Sequence, residues 1–264
     1  MVKIIFWCEF PETIDWNKAK KIIDFPTKIY VTCKDIKDYK KYSAKVKSSN
    51  IELGVWPILD KKAGYWFSGY TKKEDIDKLN QFNGIDMKID IEPPIPKNNY
   101  GFFQMLKWPF FYSIFNKPKN NEYLKKVIIG LSHKTKIILS GFPFPNFILR
   151  YYGDNIKLRK NLSKNYMFYT SFFPKIIKPF YLFYLKKFAK KKLKKHKNKL
   201  HLTIGLLGPG IFGNEPYFKD ISEFKKAIKI IKNISIENIV IFRLGALLNK
   251  KDSKKWIYEI KKLL

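Results

Sequence analysis

The stretch Gly84-Ile85-Asp86-Met87-Lys88-Ile89-Asp90-Ile91-Glu92-Pro93-Pro94 puts an ionisable residue at every second position. In an extended chain successive side chains point to opposite faces. Asp86, Lys88, Asp90 and Glu92 then share one face, and Ile85, Met87, Ile89 and Ile91 share the other. The charged groups recur about every 7 Å along such a strand. In water this row is a solvated face without consequence. Enclosed by protein, its members must pair or shift their pKa values, which is how acid–base chemistry is set up. Lys88 lies between two aspartates and can neutralise the inner part of the row. Glu92 has no cation beyond it in the strand, and an aromatic surround would hold it protonated, as a general acid needs near neutral pH.

Four other groups are candidates. Glu9 follows the first apolar run and offers a second carboxylate. Arg243 falls in the last apolar run, where a buried cation needs an anion, and Asp86 or Asp90 is its natural partner. The loop from Gly208 to Gly213 could cradle a phosphate with backbone N–H groups, although Glu215 beside it repels anions. Trp7, Trp56, Tyr65 and Trp66 lie near strand ends or in loops, where an aromatic face can hold a sugar. His133, His196 and His201 are scattered, and no histidine or cysteine spacing suits a metal, so no metal or cofactor is expected.

The elements that must position these groups follow from periodicity and turn residues. Apolar runs rich in aromatic and β-branched residues mark strands over 3–9, 27–33, 51–59, 84–94, 136–140, 166–171, 201–207 and 238–244. Helical patterns fall between them, over 16–23, 37–47, 72–80, 121–131, 175–197, 222–232 and 253–264. Thr13 or Asp15 can cap the first, and Thr71 with Glu74 forms a capping-box signature before the third. Strands alternating with helices imply parallel pairing with right-handed crossovers. Eight such units in 264 residues match a closed, parallel, eight-stranded (β/α)8 TIM barrel. An open doubly wound sheet would need a glycine-rich turn after its first strand, and Phe6-Trp7-Cys8-Glu9-Phe10-Pro11 stands there instead. The expectation is one barrel over residues 1–264, with an aromatic insert at about 95–119 and a basic helix at about 175–199. In such a barrel the charged row faces the lumen, and Glu92 reaches the carboxyl-end rim.

Composition narrows the partners. The chain carries 53 basic and 22 acidic residues, a net charge of +31, yet Arg150, Arg159 and Arg243 are its only arginines. Readers of bases and phosphates favour the arginine fork, so lysine spread over every helix argues against specific nucleic-acid binding. Cys8 and Cys33 make no disulfide framework and suit small buried positions. No apolar run reaches the roughly 18–20 residues of a spanning helix, and the first residues do not read as a signal peptide. A cytoplasmic protein, at most peripheral to a membrane, is expected.

Residues 84–94 resemble the fourth-strand signature of the glycoside hydrolase family that includes chitinases, Asp-Gly-x-Asp-x-Asp-x-Glu. Aligned on the glutamate, Glu92 matches the family's catalytic acid and Asp90 the aspartate that turns toward the substrate's acetamido group. Lys88 and Ile85 stand where the family has aspartates. Met167-Phe168-Tyr169 fits three positions of the family's sixth-strand Met-x-Tyr-Asp, with Thr170 in place of the aspartate. The family's tryptophan at the end of strand eight has no counterpart between Val240 and Leu248. The resemblance implies a hydrolase in which Glu92 protonates the glycosidic oxygen and the acetamido group attacks, steadied by Asp90 and Tyr169. Trp7, Glu9, Trp56, Tyr65, Trp66 and Arg243 are then expected around a carbohydrate. The alternative is a peripheral membrane barrel that binds or acts on a lipid-linked or anionic head group. It rests on the aromatic insert and on Ile176, Phe180, Phe183, Tyr184 and Phe188 of the basic helix. The balance of expectation is that this helical stripe packs on the barrel.

Overall fold

The computed structural model describes residues 2–96, 107–108, 111–113, 115–174 and 176–264. Much of the aromatic insert, including Tyr100, Phe102 and Phe103, lies outside the described residues, as does Lys175 at the expected start of the basic helix. Eight strands form: β1 (Lys3–Cys8), β2 (Thr27–Cys33), β3 (Ile51–Pro57), β4 (Met87–Asp90), β5 (Ile137–Gly141), β6 (Leu162–Met167), β7 (Leu200–Leu206) and β8 (Asn238–Phe242). They hydrogen-bond in sequence order and close into a parallel barrel, the expected (β/α)8 fold. Nearly every strand residue is buried, because helices cover one face and the lumen takes the other. That is why these strands read as apolar runs.

The helices are α1 (Trp16–Ile22), α2 (Ile36–Lys45), α3 (Lys73–Asp77), α4 (Asn121–Leu131), α5 (Asn146–Tyr152), α6 (Lys178–His196), α7 (Ile221–Lys232), α8 (Leu244–Leu248) and α9 (Ser253–Lys261). Of the two residues able to cap α1, Asp15 does so, accepting from Lys18 N–H at 2.9 Å. The capping box at α3 does not form. Lys72 is the N-cap, and the Thr71 hydroxyl instead accepts from Ser68 N–H at 3.0 Å, tying down the loop before the helix. The short helices α5 and α8 were not expected; each has only five to seven residues, too few to show a period. β6 begins four residues before its expected start, because its first half is polar. Lys164 is spent on an enclosed ion pair with Asp154, and the Asn165 side chain accepts from the Thr203 hydroxyl at 3.1 Å.

The chain divides into two compact units: Met1–Val31, Lys41–Leu53 and Asn165–Leu264; and Thr32–Lys40 with Gly54–Lys164. In the first unit, β1 pairs with β8 from Lys3↔Asn238 to Trp7↔Phe242, and β7 pairs with β8. Tyr166, Phe168, Leu200, Leu202, Ile234 and Ile236 form a core with Leu185 and Ala189 of α6. In the second unit, β4 pairs with β5 from Met87↔Ile137 to Asp90↔Ser140. Leu124, Ile128 and Leu131 of α4 are buried there, with Ile76, Leu79 and Phe82. No helix among the described residues is long and apolar enough to cross a membrane.

Candidate functional site

In the second unit the charged row of β4 is enclosed. Lys88 is 0% and Asp90 2% exposed. The Lys88 ammonium donates to Asp90 Oδ2 at 2.6 Å and sits 3.1 Å from the centre of the Trp56 ring, so an anion and an aromatic face share one buried cation. Burial pushes the Asp90 carboxyl above the usual carboxylate range, against the pull of Lys88 and of hydrogen bonds from Ser140 and Trp56. Asp86 is only half-buried and precedes the strand; its carbonyl accepts from Val55 N–H at 2.8 Å.

Glu92 lies just past β4, 8% exposed. Its position comes from the loop after β3. Gly64, at φ +106°, turns that loop in a conformation L side chains rarely adopt, and a Cβ there would meet Pro94 Cβ at 3.1 Å. Tyr65 and Trp66 follow with their rings edge-on at 5.5 Å. Phe67 then runs parallel to the end of the row, taking a hydrogen bond from Glu92 N–H at 3.1 Å and giving one to Asp90 O at 3.2 Å. Tyr152 lies near Glu92. Its phenol is raised above its ordinary pKa mainly by burial, with the charges of Tyr70 and Glu92 adding and a hydrogen bond with Ser113 opposing. The acid at the end of the row therefore stands in a largely dry setting, while Lys88 and Asp90 neutralise each other next to it.

The first unit carries its own cluster. Tyr169 stacks on Phe242 at 6.2 Å, and Trp7 meets Phe242 edge-on at 6.2 Å. Tyr169 is set by the end of β6: Phe168 N–H donates to Thr203 O at 2.8 Å, and the Tyr169 hydroxyl donates to Met167 Sδ at 3.0 Å. Glu9 and Glu215 converge at Gly210. A Cβ on that glycine would lie 2.9 Å from Glu9 Oε2, 2.9 Å from Glu215 Oε1 and 3.3 Å from the Phe242 ring. The two oxygens are therefore no farther apart than twice the first distance. Both residues are buried, and Glu215 Oε1 accepts from Phe212 N–H at 3.2 Å. A side chain at 210 would have to push both carboxylates aside. The glycine-rich loop thus turns a carboxylate inward, which does not suit a phosphate cradle. Only the repulsion between Glu215 and anions was legible in the sequence; its meeting with Glu9 was not.

Arg243 does not pair with Asp86 or Asp90, as the sequence suggested. It follows β8 as the N-cap of α8; its Nε–H donates to Pro209 O at 2.6 Å, and its guanidinium lies 4.7 Å from the centre of the Phe10 ring. A carbonyl and an aromatic face take the place of the expected anion. Of the four aromatic candidates, Trp7, Trp56 and Tyr65 are 0%, 3% and 5% exposed, and Trp66 alone is half-buried. In the second unit the structure thus brings together Trp56, Tyr65, Trp66, Asp90 and Glu92, and in the first Trp7, Glu9 and Tyr169. Among the described residues no three histidine, cysteine or carboxylate side chains are placed to hold a metal ion.

No family model matches the chain, and no curated protein matches it in sequence. Solved structures do match its fold. The glycoside hydrolase domain of PgaB (BpsB) from Bordetella bronchiseptica superposes with a TM-score of 0.59 at 8% identity, over 97% of this chain and 98% of that one. The cellulose synthase subunit Z (CcsZ) from Clostridioides difficile gives 0.58 at 14% identity, over 98% and 99%. A family 5 lichenase from Caldicellulosiruptor sp. F32 gives 0.56 at 10% identity, over 96% and 84%. At such identities the likeness is one of fold, and the fold this chain shares with them is the (β/α)8 barrel.

Proposed function

We propose that the protein is a glycoside hydrolase acting on a carbohydrate, with Glu92 as its principal acid. One observation carries the reading: Glu92 is buried, 8% exposed, just past the end of β4, in the same period-2 row as the enclosed Lys88–Asp90 pair. Barrels of this fold carry their chemistry at the carboxyl ends of strands. The glycoside hydrolase domain and the lichenase that share the fold support the choice of substrate class.

The finer form of the proposal takes the substrate to be an acetamido sugar. Glu92 gives its proton to the glycosidic oxygen as the bond to the anomeric carbon breaks, and the acetamido oxygen attacks that carbon. Asp90 steadies the acetamido group. For this Asp90 must exchange its tie to Lys88 for the substrate, so its present hydrogen bond marks a resting arrangement. A substrate-assisted reaction is one of the exceptions to the two-carboxylate scheme.

The test is hydrolysis of chromogenic acetamido-sugar glycosides and of the matching glycosides that lack the acetamido group. Loss of a general acid costs about 10²–10⁴ in rate, so Glu92→Gln should fall by at least about a hundredfold while keeping its circular dichroism spectrum. Equal turnover by both proteins, or none with any glycoside, removes the proposal. Cleavage only of glycosides without the acetamido group removes its finer form.

A further inference from the structure

Helix α6 carries two apolar stripes, and only one is used. Tyr181, Leu185, Phe188, Ala189 and Leu193 recur at helical spacing and pack on the core of Tyr166, Phe168, Leu200 and Leu202; Phe188 meets Phe168 at 5.3 Å and Tyr166 at 4.9 Å. That is the packing any outer barrel helix requires. The second stripe points away from it. Ile176, Phe180 and Phe183 are 85%, 77% and 70% exposed, and Ile177 and Tyr184 are exposed beside them. The sequence reading placed Phe180, Phe183 and Phe188 in one stripe, packed on the barrel or facing a membrane; the helix instead turns Phe188 inward and Phe180 and Phe183 outward.

The outward stripe continues along the same side of the helix as Lys187, Lys190, Lys191 and Lys194, all exposed. From Lys178 to His196 there are eight lysines and no acidic residue. The outward face is thus apolar and aromatic toward its first turns and cationic toward its last. Large apolar groups left bare in water mark a surface that something covers.

We propose that this face of α6 docks the protein on an anionic lipid bilayer, with the Ile176–Phe183 end set among the acyl chains at the headgroup boundary and the lysines over the lipid phosphates. Charge complementarity selects this occupant. A second copy of the chain would set lysines against lysines in a molecule of net charge +31. A duplex nucleic acid would satisfy the lysines and leave the isoleucines and phenylalanines unburied. An anionic bilayer takes both halves, since aromatic side chains favour the interface and lysine stems reach up to the phosphates. The inference does not rest on the carbohydrate reading and holds whether or not Glu92 is catalytic.

The test is sedimentation of the full chain with phosphatidylcholine vesicles, with and without about one-third phosphatidylserine, near physiological salt. The wild type should pellet with the anionic vesicles only. The exposed double substitution Phe180→Ser/Phe183→Ser should lower the partition coefficient at least about tenfold without changing the circular dichroism spectrum. Replacing Lys187, Lys190, Lys191 and Lys194 by glutamine should lower it about a hundredfold or more. Wild-type protein that stays in the supernatant overturns the proposal, as do variants that pellet like the wild type. A wild-type dimer in light scattering that the double serine variant dissociates also overturns it, by assigning the face to another copy.

Discussion

Removing Lys88 tests how the interior of the second unit is held. Lys88→Met keeps most of the side-chain volume and deletes a cation that is 0% exposed, 2.6 Å from Asp90 and 3.1 Å from the Trp56 ring centre. Breaking a buried pair by removing one partner costs about 3–5 kcal/mol, of which the aromatic contact accounts for up to about 2 kcal/mol. That is a large share of the roughly 5–15 kcal/mol that holds a domain together. The cost also has a pH signature. Burial already raises the Asp90 carboxyl, and without Lys88 one opposing influence is gone. A carboxyl whose folded pKa lies above its unfolded value contributes stability that is present below about pH 4. That contribution is lost as pH rises through the folded value, at up to about 1.4 kcal/mol per pH unit. Lys88→Met should therefore be mildest near pH 4 and most damaging near pH 8. Lys88→Met/Asp90→Asn removes both charges and should recover to within about 1–2 kcal/mol of the wild type. Guanidinium denaturation followed by tryptophan fluorescence at several pH values measures all three proteins. A cost below about 1 kcal/mol at pH 8, a cost independent of pH, or a double variant as unstable as the sum of the singles would refute the reasoning.

Two further predictions concern the first unit. His201, at the start of β7, is buried with no hydrogen-bond partner at Nδ1, and burial, aided by Lys3, pushes its pKa down to about 3. Its neutral form stabilises the fold fully above the unfolded value near 6.5, and this is lost at about 1.4 kcal/mol per pH unit as acid approaches the folded value. His201→Gln should flatten the stability profile between pH 6 and pH 4, and an unchanged slope in an acid titration by circular dichroism would contradict this. Gly205 has φ +142°, and a Cβ there would lie 2.6 Å from the Phe218 ring and 3.3 Å from Ser171 N. Gly205→Ala should cost about 1–3 kcal/mol in thermal or denaturant unfolding, and a neutral result would mean the ring yields freely.

The barrel was legible because its determinants are repeated: eight apolar runs, each followed by a turn signal or an amphipathic segment. The charged row of β4 was legible because period 2 needs only a few residues to show. β6 was misplaced because Lys164 and Asn165 look like loop residues until Asp154 and Thr203 are known to meet them. The partner of Arg243 was misjudged for the same reason, since a carbonyl at Pro209 leaves no trace in residue types. Glu215 was seen as a charge in a glycine-rich loop, and its approach to Glu9 depends on an empty Cβ position at Gly210. On α6, spacing alone could not say which of two apolar stripes would face the core, because both repeat every three to four residues.

The enclosed lysines also bear on how the molecule travels. Lys88 and Lys164 each have an aspartate of their own, so both cancel inside the fold. Among the described residues the positive surplus consequently lies on side chains in contact with solvent. Such a particle moves as a polycation wrapped in a cloud of small anions. Its copies are kept apart by mutual repulsion over about 8–10 Å at ordinary ionic strength, and any polyanion it meets gains by displacing that cloud.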